Sequence, residues 1–340
     1  MTKRNLFFGV VIFLAAIQFS FAQTKSNEKL LYSFVATGCN RVDKDDVSDA
    51  NPSTANIAQL SKTFEDVATL NPQPDFFFFT GDLIMGYQAD TAILGKELRA
   101  WKTIYYQSTL SKTKVKLIVL PGNHELKESK KKPAYEAAEQ CWVNNMNEFL
   151  PYNNGPKKGG DDNLQTDQSR LTTSFDFKGS HFILCNTDGV GMESKVALNW
   201  IAKDLKTAKK DNPIFVFSHQ PAVPYNGEKG IDTANNLKQK FWTLLEDNHV
   251  TAMVSAHNHV YLKQQPHAGK TWQIVAGNGG SQLEKEVTKP EDQFYGFVQI
   301  KVYENKKVEM NMYGRNFDTK NYLAPPTSPT TVRDNKWLVE

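Results

Sequence analysis

The chain has 340 residues, 40% hydrophobic and 23% charged, with a formal net charge of only +3, the balance of a soluble globular protein with one large core. That small charge, and the lack of Lys/Arg clusters alternating with aromatic residues, argue against a nucleic-acid surface. Three cysteines, Cys39, Cys141 and Cys185, are too few for a disulfide scaffold.

The N-terminus reads as a targeting segment. Lys3 and Arg4 precede an apolar run from Leu6 to Phe19, and Ser20-Phe21-Ala22 offers small residues for cleavage. Residues 1–22 are therefore expected to be a signal peptide, with a periplasmic or secreted mature chain and no membrane anchor after cleavage. Residues 23–315 are expected to form one domain, and residues 316–340, which hold several prolines and little periodicity, an extended tail over the surface.

Leu31 to Cys39 reads as a strand ending at a Gly, followed by the polar loop Asn40 to Asp46. Ala55 to Leu70 places Ile57, Leu60, Phe64, Val67 and Leu70 at helical spacing. Asp75 to Asp82 is a strand whose four consecutive Phe residues predict burial on both faces. A helix over Thr91 to Gln107 leads to the strand from Val115, which ends in Pro121-Gly-Asn-His-Glu125. A lysine-rich loop, Lys127 to Lys132, is expected to be solvated. A helix follows over Tyr135 to Phe149, then a polar loop from Pro151 to Asp167 and a hairpin turning at Lys178-Gly179-Ser180. Helices over Ala197 to Thr207 and Thr233 to Asp247 alternate with strands ending at His219 and His257. Strand–helix alternation of this kind predicts a layered α/β fold. The last third holds strands without helices and predicts a second, antiparallel sheet.

Chemistry gathers at the strand ends. Asp82, Asn123, His124, His219, His257 and His259 each follow a β-branched or aromatic run, the position where open α/β sheets present functional groups. Imidazole and carboxylate clusters bind borderline cations such as zinc, manganese and iron. His257 and His259 are two residues apart and share a face at strand period, so they are placed to hold two metals side by side. Asp82, with two oxygens, is the natural bridge. Two cations clamp a phosphoryl group and generate hydroxide near neutral pH. Asn123 offers a neutral carbonyl ligand, and His124, if it binds no metal, is a general acid for the leaving oxygen. Glu125 is expected to orient its neighbours.

Gly-Asp82, Gly-Asn123-His124-Glu125, His219 and Ala-His257-Asn-His259 resemble, in order, the motifs of the calcineurin-like metallophosphoesterase superfamily. His257-Asn-His-Val-Tyr261 is most similar to the purple acid phosphatase branch. The resemblance implies a two-sheet β-sandwich flanked by helices, with two divalent or trivalent metal ions (Zn, Mn or Fe) at the strand carboxyl ends. It implies that Asp82 bridges the metals, that Asn123, His219 and His257 bind one and His259 the other, and that His124 assists the leaving group. It allows Asn278 a substrate-side role.

The first motif departs from the family pattern. Cys39 stands where an Asp is expected, and Arg41 where a His often is. Three readings stay open: Cys39 is a thiolate ligand; Asp43, Asp45 or Asp46 replaces the missing carboxylate; or one metal position is lost. Arg41 is a candidate to grip a phosphate bidentately, with a salt bridge to Asp43 or Asp45 as its alternative use. Met85 stands where purple enzymes carry their iron-binding Tyr, and Tyr87 lies nearby but off register. The expected activity is hydrolysis of a small-molecule phosphate mono- or diester by metal-bound hydroxide. The rival is a catalytically weak phosphate- or nucleotide-binding protein that keeps the fold.

Overall fold

The computed structural model describes residues 28–209, 211–225, 230–232 and 240–339. The expected signal peptide lies outside the described residues, as does the start of the helix expected from Thr233. Among the described residues, no helix is long and apolar enough to cross a membrane.

Two six-stranded sheets face each other. The first comprises β1 (Leu30–Thr37), β2 (Phe76–Thr80), β3 (Lys116–Leu120), β12 (Tyr295–Tyr303), β13 (Val308–Arg315) and β14 (Thr331–Val339), in the order β14-β13-β12-β1-β2-β3. The second comprises β4 (Thr173–Phe177), β5 (Ser180–Cys185), β8 (Ile214–Ser218), β9 (Ala252–Ser255), β10 (Tyr261–Gln264) and β11 (Trp272–Ala276), in the order β10-β11-β9-β8-β5-β4. A small ribbon, β6 (Asp188–Gly189) with β7 (Met192–Glu193), follows β5. The helices are α1 (Ile57–Thr69), α2 (Thr91–Gln107), α3 (Asn123–Leu126), α4 (Glu136–Met146), α5 (Leu198–Leu205) and α6 (Phe241–Asp247). This is the helix-flanked sandwich expected from the sequence.

The four Phe residues of β2 show why the layers form. Alternation sends Phe76 and Phe78 inward and Phe77 and Phe79 outward. Phe78 stacks on Phe217 of the opposite sheet with centroids 4.0 Å apart. On the outer face Phe77 meets Phe64 of α1, and Phe79 meets Trp101 of α2. All four rings are buried, and each such burial contributes roughly 1.5–3 kcal/mol. Both helices start at side-chain caps: Asn56 accepts from the Gln59 amide, and Asp90 from that of Ala92. The outer face of the second sheet carries Ile183, Val216 and Met253 under α5 and α6.

Two expectations for the C-terminal third are corrected. β11 joins the second sheet parallel to β9, while β12 pairs antiparallel with β1 and β13 antiparallel with β12, extending the first sheet; among the described residues no separate antiparallel sheet forms from this segment. The tail expected at 316–340 holds an edge strand, β14, paired with β13. The strand begins just beyond Pro329, the last residue that would interrupt a ladder, and is anchored by buried Leu338 and by Trp337 against Tyr303.

β1, β2 and β3 are mutually parallel, as are β5, β8 and β9. Their carboxyl ends come together at one rim of the sandwich, where His219 after β8 donates Nδ1–H to the Thr80 carbonyl of β2 at 2.8 Å.

Candidate metal centre

The strand ends leave extended geometry abruptly. Cys39, Asp82 and His257 all have left-handed backbone, with φ of 57°, 54° and 66°. Each costs an L-residue roughly 1–2 kcal/mol, and non-glycine residues held this way cluster at functional sites. Glycines make the approach possible: a Cβ on Gly122 would lie 2.3 Å from Asp82 Oδ1, and one on Gly81 2.5 Å from His219 Nδ1. Backbone bonds continue past the strands, from Cys39 N to Gly81 O at 3.0 Å and from Asn40 N to Asp82 O at 2.9 Å.

Asp82 sits at the centre, buried. Its Oδ1 is 3.2 Å from His219 Nε2, and its Oδ2 is 3.8 Å from Arg41 Nε and 3.9 Å from His124 Nε2. Burial pushes the Asp82 carboxyl up, but His219, His124 and Arg41 outweigh it and hold the group well below the usual carboxylate range. His219 Nε2 also lies 3.1 Å from Asn123 Oδ1 and 3.1 Å from His257 Nδ1. Because Thr80 takes the Nδ1 proton of the neutral His219 ring, its Nε2 offers a lone pair. Tyr87 OH takes a hydrogen from Asn123 Nδ2, which turns the amide oxygen towards His219. With His219 neutral, its Nε2 lone pair faces the oxygens of Asn123 and Asp82 across about 3 Å, an arrangement that repels unless a cation stands among them. The donor set fits a metal.

Cys39 joins this group. Its Sγ and ligand atoms of Asp82 and His219 lie within 4.8 Å of one another. The thiol is fully buried and accepts the His257 amide at 3.1 Å. Burial, then the Asp82 charge, pushes its pKa well up, so ionisation there needs a cation. Asp43 is instead tied to Arg41 at 3.2 Å, Asp46 accepts from Tyr322 OH, and Asp45 is exposed. Among the described residues, none of these three acids reaches the Cys39–Asp82–His219 group.

Two further imidazoles face the same cleft, each fixed by a backbone carbonyl. His259 Nδ1 donates to Gln282 O at 2.7 Å, and His124 Nδ1 to Met85 O at 2.6 Å. Burial lowers their pKa values to about 4 and about 3 respectively, keeping both neutral with Nε2 free. Glu125 points away from the cleft and accepts four backbone amides, from Gly122 (2.7 Å), Leu83 (2.7 Å), Asp82 (3.1 Å) and Ile84 (3.2 Å). It ties the turn after β2 to the turn after β3. Burial, with the Asp82 charge, pushes its pKa up to about 7.

The cleft holds about 1150 Å³ and is lined by Arg41, Asp82, Asn123, His124, His257 and His259 among others. Arg41 makes the salt bridge to Asp43 expected as its alternative use, and its Nε faces Asp82 Oδ2. Asn278 does not reach the cleft: it is buried, donating to the Phe294 carbonyl at 3.1 Å, because its turn packs inward under β12. The sequence marks Tyr87 only as lying off register from the purple-enzyme Tyr, yet its ring lies on His124 with centroids 3.8 Å apart, and its amide donates to the His124 carbonyl. The left-handed backbone at Gly86 and Tyr87 swings the phenol in; the only sequence signal was the Gly. Gln220 and Asp188, bonded to each other at 2.8 Å, also line the cleft.

Residues 47–261 match the family model of the calcineurin-like phosphoesterases. The chain belongs to that family. Cys39 and Arg41 lie before the matched stretch. Among solved structures, a purple acid phosphatase from yellow lupin (Lupinus luteus) seeds superposes with a TM-score of 0.57 at 16% identity, covering 88% of this chain and 56% of that one. A dimetal phosphatase from Danio rerio gives 0.53 at 15% identity over 90% and 100% of the two chains. GAP50, the anchor in the inner membrane complex of Plasmodium, gives 0.51 at 16% over 84% and 85%. At these identities the likeness is one of fold, and this calcineurin-like chain spans about 56% of the lupin enzyme's length. No curated protein sequence matches it.

Proposed function

We propose that this member of the family is an exported, metal-dependent phosphoesterase that hydrolyses a phosphate mono- or diester. The observation that carries the reading is the convergence of ligand atoms of Asp82, Asn123, His219 and His257 beside Cys39. Asn123, His219 and His257 would hold one cation and Cys39 and His259 a second, with Asp82 shared between them. When bound, such cations supply Lewis acidity and lower the pKa of coordinated water.

The remaining groups act on the substrate. Arg41, its Nε buried without a hydrogen-bond partner among the described residues, offers guanidinium donors to phosphoryl oxygens. His124 keeps Nδ1–H on Met85, so Nε2, the atom facing Asp82, is the one that takes up a proton from water and passes it to the leaving oxygen. Tyr87 holds the ring by stacking and Asn123 by hydrogen bonding.

The rival reading, a phosphate- or nucleotide-binding protein that keeps the fold, is favoured by a single observation, the neutral buried thiol at Cys39. Elemental analysis after mild purification, together with hydrolysis of nitrophenyl phosphate and bis-nitrophenyl phosphate, separates the two. The enzyme reading expects two metals per chain and turnover. Less than one metal and no turnover with manganese, zinc or iron added would overturn it. Export is tested by N-terminal sequencing of the mature protein, expected to begin near Gln23.

A further inference from the structure

The lysine run after α3 is exposed at Lys130, Lys131 and Lys132, as expected, but it is anchored at its base. Its base is fixed on the metal-side turn: Lys127 N donates to Asn123 O at 3.2 Å, Tyr135 N to Leu126 O at 3.2 Å, and Ala134 N to Glu193 Oε1 at 2.9 Å. Lys127 and Ala134 form an isolated bridge, and Lys132 N closes a turn on Ser129 O. The excursion is thus a short tied loop beginning three residues after His124. Its side chains are sorted. Lys127, Ser129, Lys130 and Lys131 line the cleft, whereas Glu128, the one acid between them, does not. None of these three cleft-lining lysines pairs with a carboxylate within 4 Å among the described residues. The acids of the cleft come from other segments: Asp43 and Asp45 from the loop after β1, Asp82 after β2, Asp188 of β6, which feels the Lys127 charge, and Glu284.

Three ammonium groups with no carboxylate within 4 Å among the described residues, grouped on one wall beside a site built for a phosphoryl group, create a local positive potential that a cleft focuses. Lysine suits a phosphate whose position varies, because its three donors rotate on a flexible stem. The cleft volume of about 1150 Å³ exceeds what a single phosphate needs. We infer that the Lys127–Lys130–Lys131 wall is a subsite for a second phosphate of the substrate, so that the preferred substrates are phosphoanhydrides or bisphosphates rather than simple monoesters. The inference rests on the proposed phosphoesterase activity for its reaction. The subsite adds binding only: water adds to the scissile phosphorus, the bond to the leaving oxygen breaks, and that oxygen takes a proton.

The test compares the wild type with the triple variant Lys127→Gln/Lys130→Gln/Lys131→Gln, both metal-loaded, on inorganic pyrophosphate, a nucleoside diphosphate and nitrophenyl phosphate. The variant is expected to lose about tenfold or more in kcat/KM on the two diphosphates, chiefly through KM. Its nitrophenyl phosphate value should stay within about twofold. Added salt should depress diphosphate hydrolysis by the wild type more steeply than by the variant. An equal loss on all three substrates, or no loss on the diphosphates, would overturn the subsite. If the wild type turns over none of them, the phosphoesterase reading fails, and calorimetric binding then decides the subsite alone. Pyrophosphate should bind more tightly than orthophosphate to the wild type, with that advantage gone in the variant; the same ratio in both proteins would overturn it.

Discussion

The ends of β3 and β1 supply the same rim in different ways. After β3, every polar side chain is held by neutral groups of the protein itself: Glu125 by four backbone amides, His124 by the Met85 carbonyl and the Tyr87 ring, Asn123 by the Tyr87 hydroxyl. After β1, Cys39 is a fully buried thiol with one amide donor, and Arg41 is shared between Asp43 and Asp82. The first end is preorganised whatever its charge state. The second gains a negative charge only when a cation draws off the thiol proton, so the two should respond differently to metal and to mutation.

The largest effect should come from Cys39→Ser, which is expected to remove one cation and reduce turnover by about 10³-fold. Cys185→Ser, in a strand interior, should leave metal content and rate intact; equal activity of the two variants would show that the β1 end binds no metal through sulfur. His124→Gln breaks the other end differently. It should lower kcat by about 10²-fold or more while elemental analysis still finds both cations, whereas loss of a cation would make His124 a ligand. Tyr87→Phe removes the hydroxyl that orients Asn123 and keeps the stacked ring, so about a tenfold loss in metal affinity is expected, read by titration with a competing chelator.

The smallest effect concerns a histidine outside the cleft. His181 sits between Asp204 (2.9 Å) and Asp176 (2.8 Å). Burial lowers its pKa, but the two carboxylates more than reverse this, leaving it raised. A raised folded pKa stabilises fully below the unfolded value and is lost as pH rises through the folded one. Thermal melts of His181→Gln should therefore show a larger deficit near pH 5.5 than near pH 8.5, with activity unchanged.

The parts of the site legible in the sequence are those where local pattern and chemistry coincide. The Phe76–Phe79 run announced a strand covered on both faces, and Asp82, Asn123, His219 and His257 announced themselves by following such runs; all four converge. Sheet membership was not legible, because Tyr295–Tyr303 has the same alternation whether it pairs with β1 or elsewhere, and only the long-range register Leu30↔Tyr303 decides it. β14 was hidden behind Pro325, Pro326 and Pro329. Tyr87 and the lysine wall depend on left-handed turns and a tied loop, which residue spacing does not encode. Lys127 to Lys132 reads as a solvated charge run until Asn123 and Ala134 fix its base.

The claim on which the account turns is that Cys39 completes the metal centre. X-ray absorption at the zinc edge of the zinc-loaded protein tests it directly. The account predicts a sulfur shell at about 2.3 Å in the wild type, absent in Cys39→Ser. A wild-type spectrum with only nitrogen and oxygen scatterers at about 2.0–2.2 Å would contradict it.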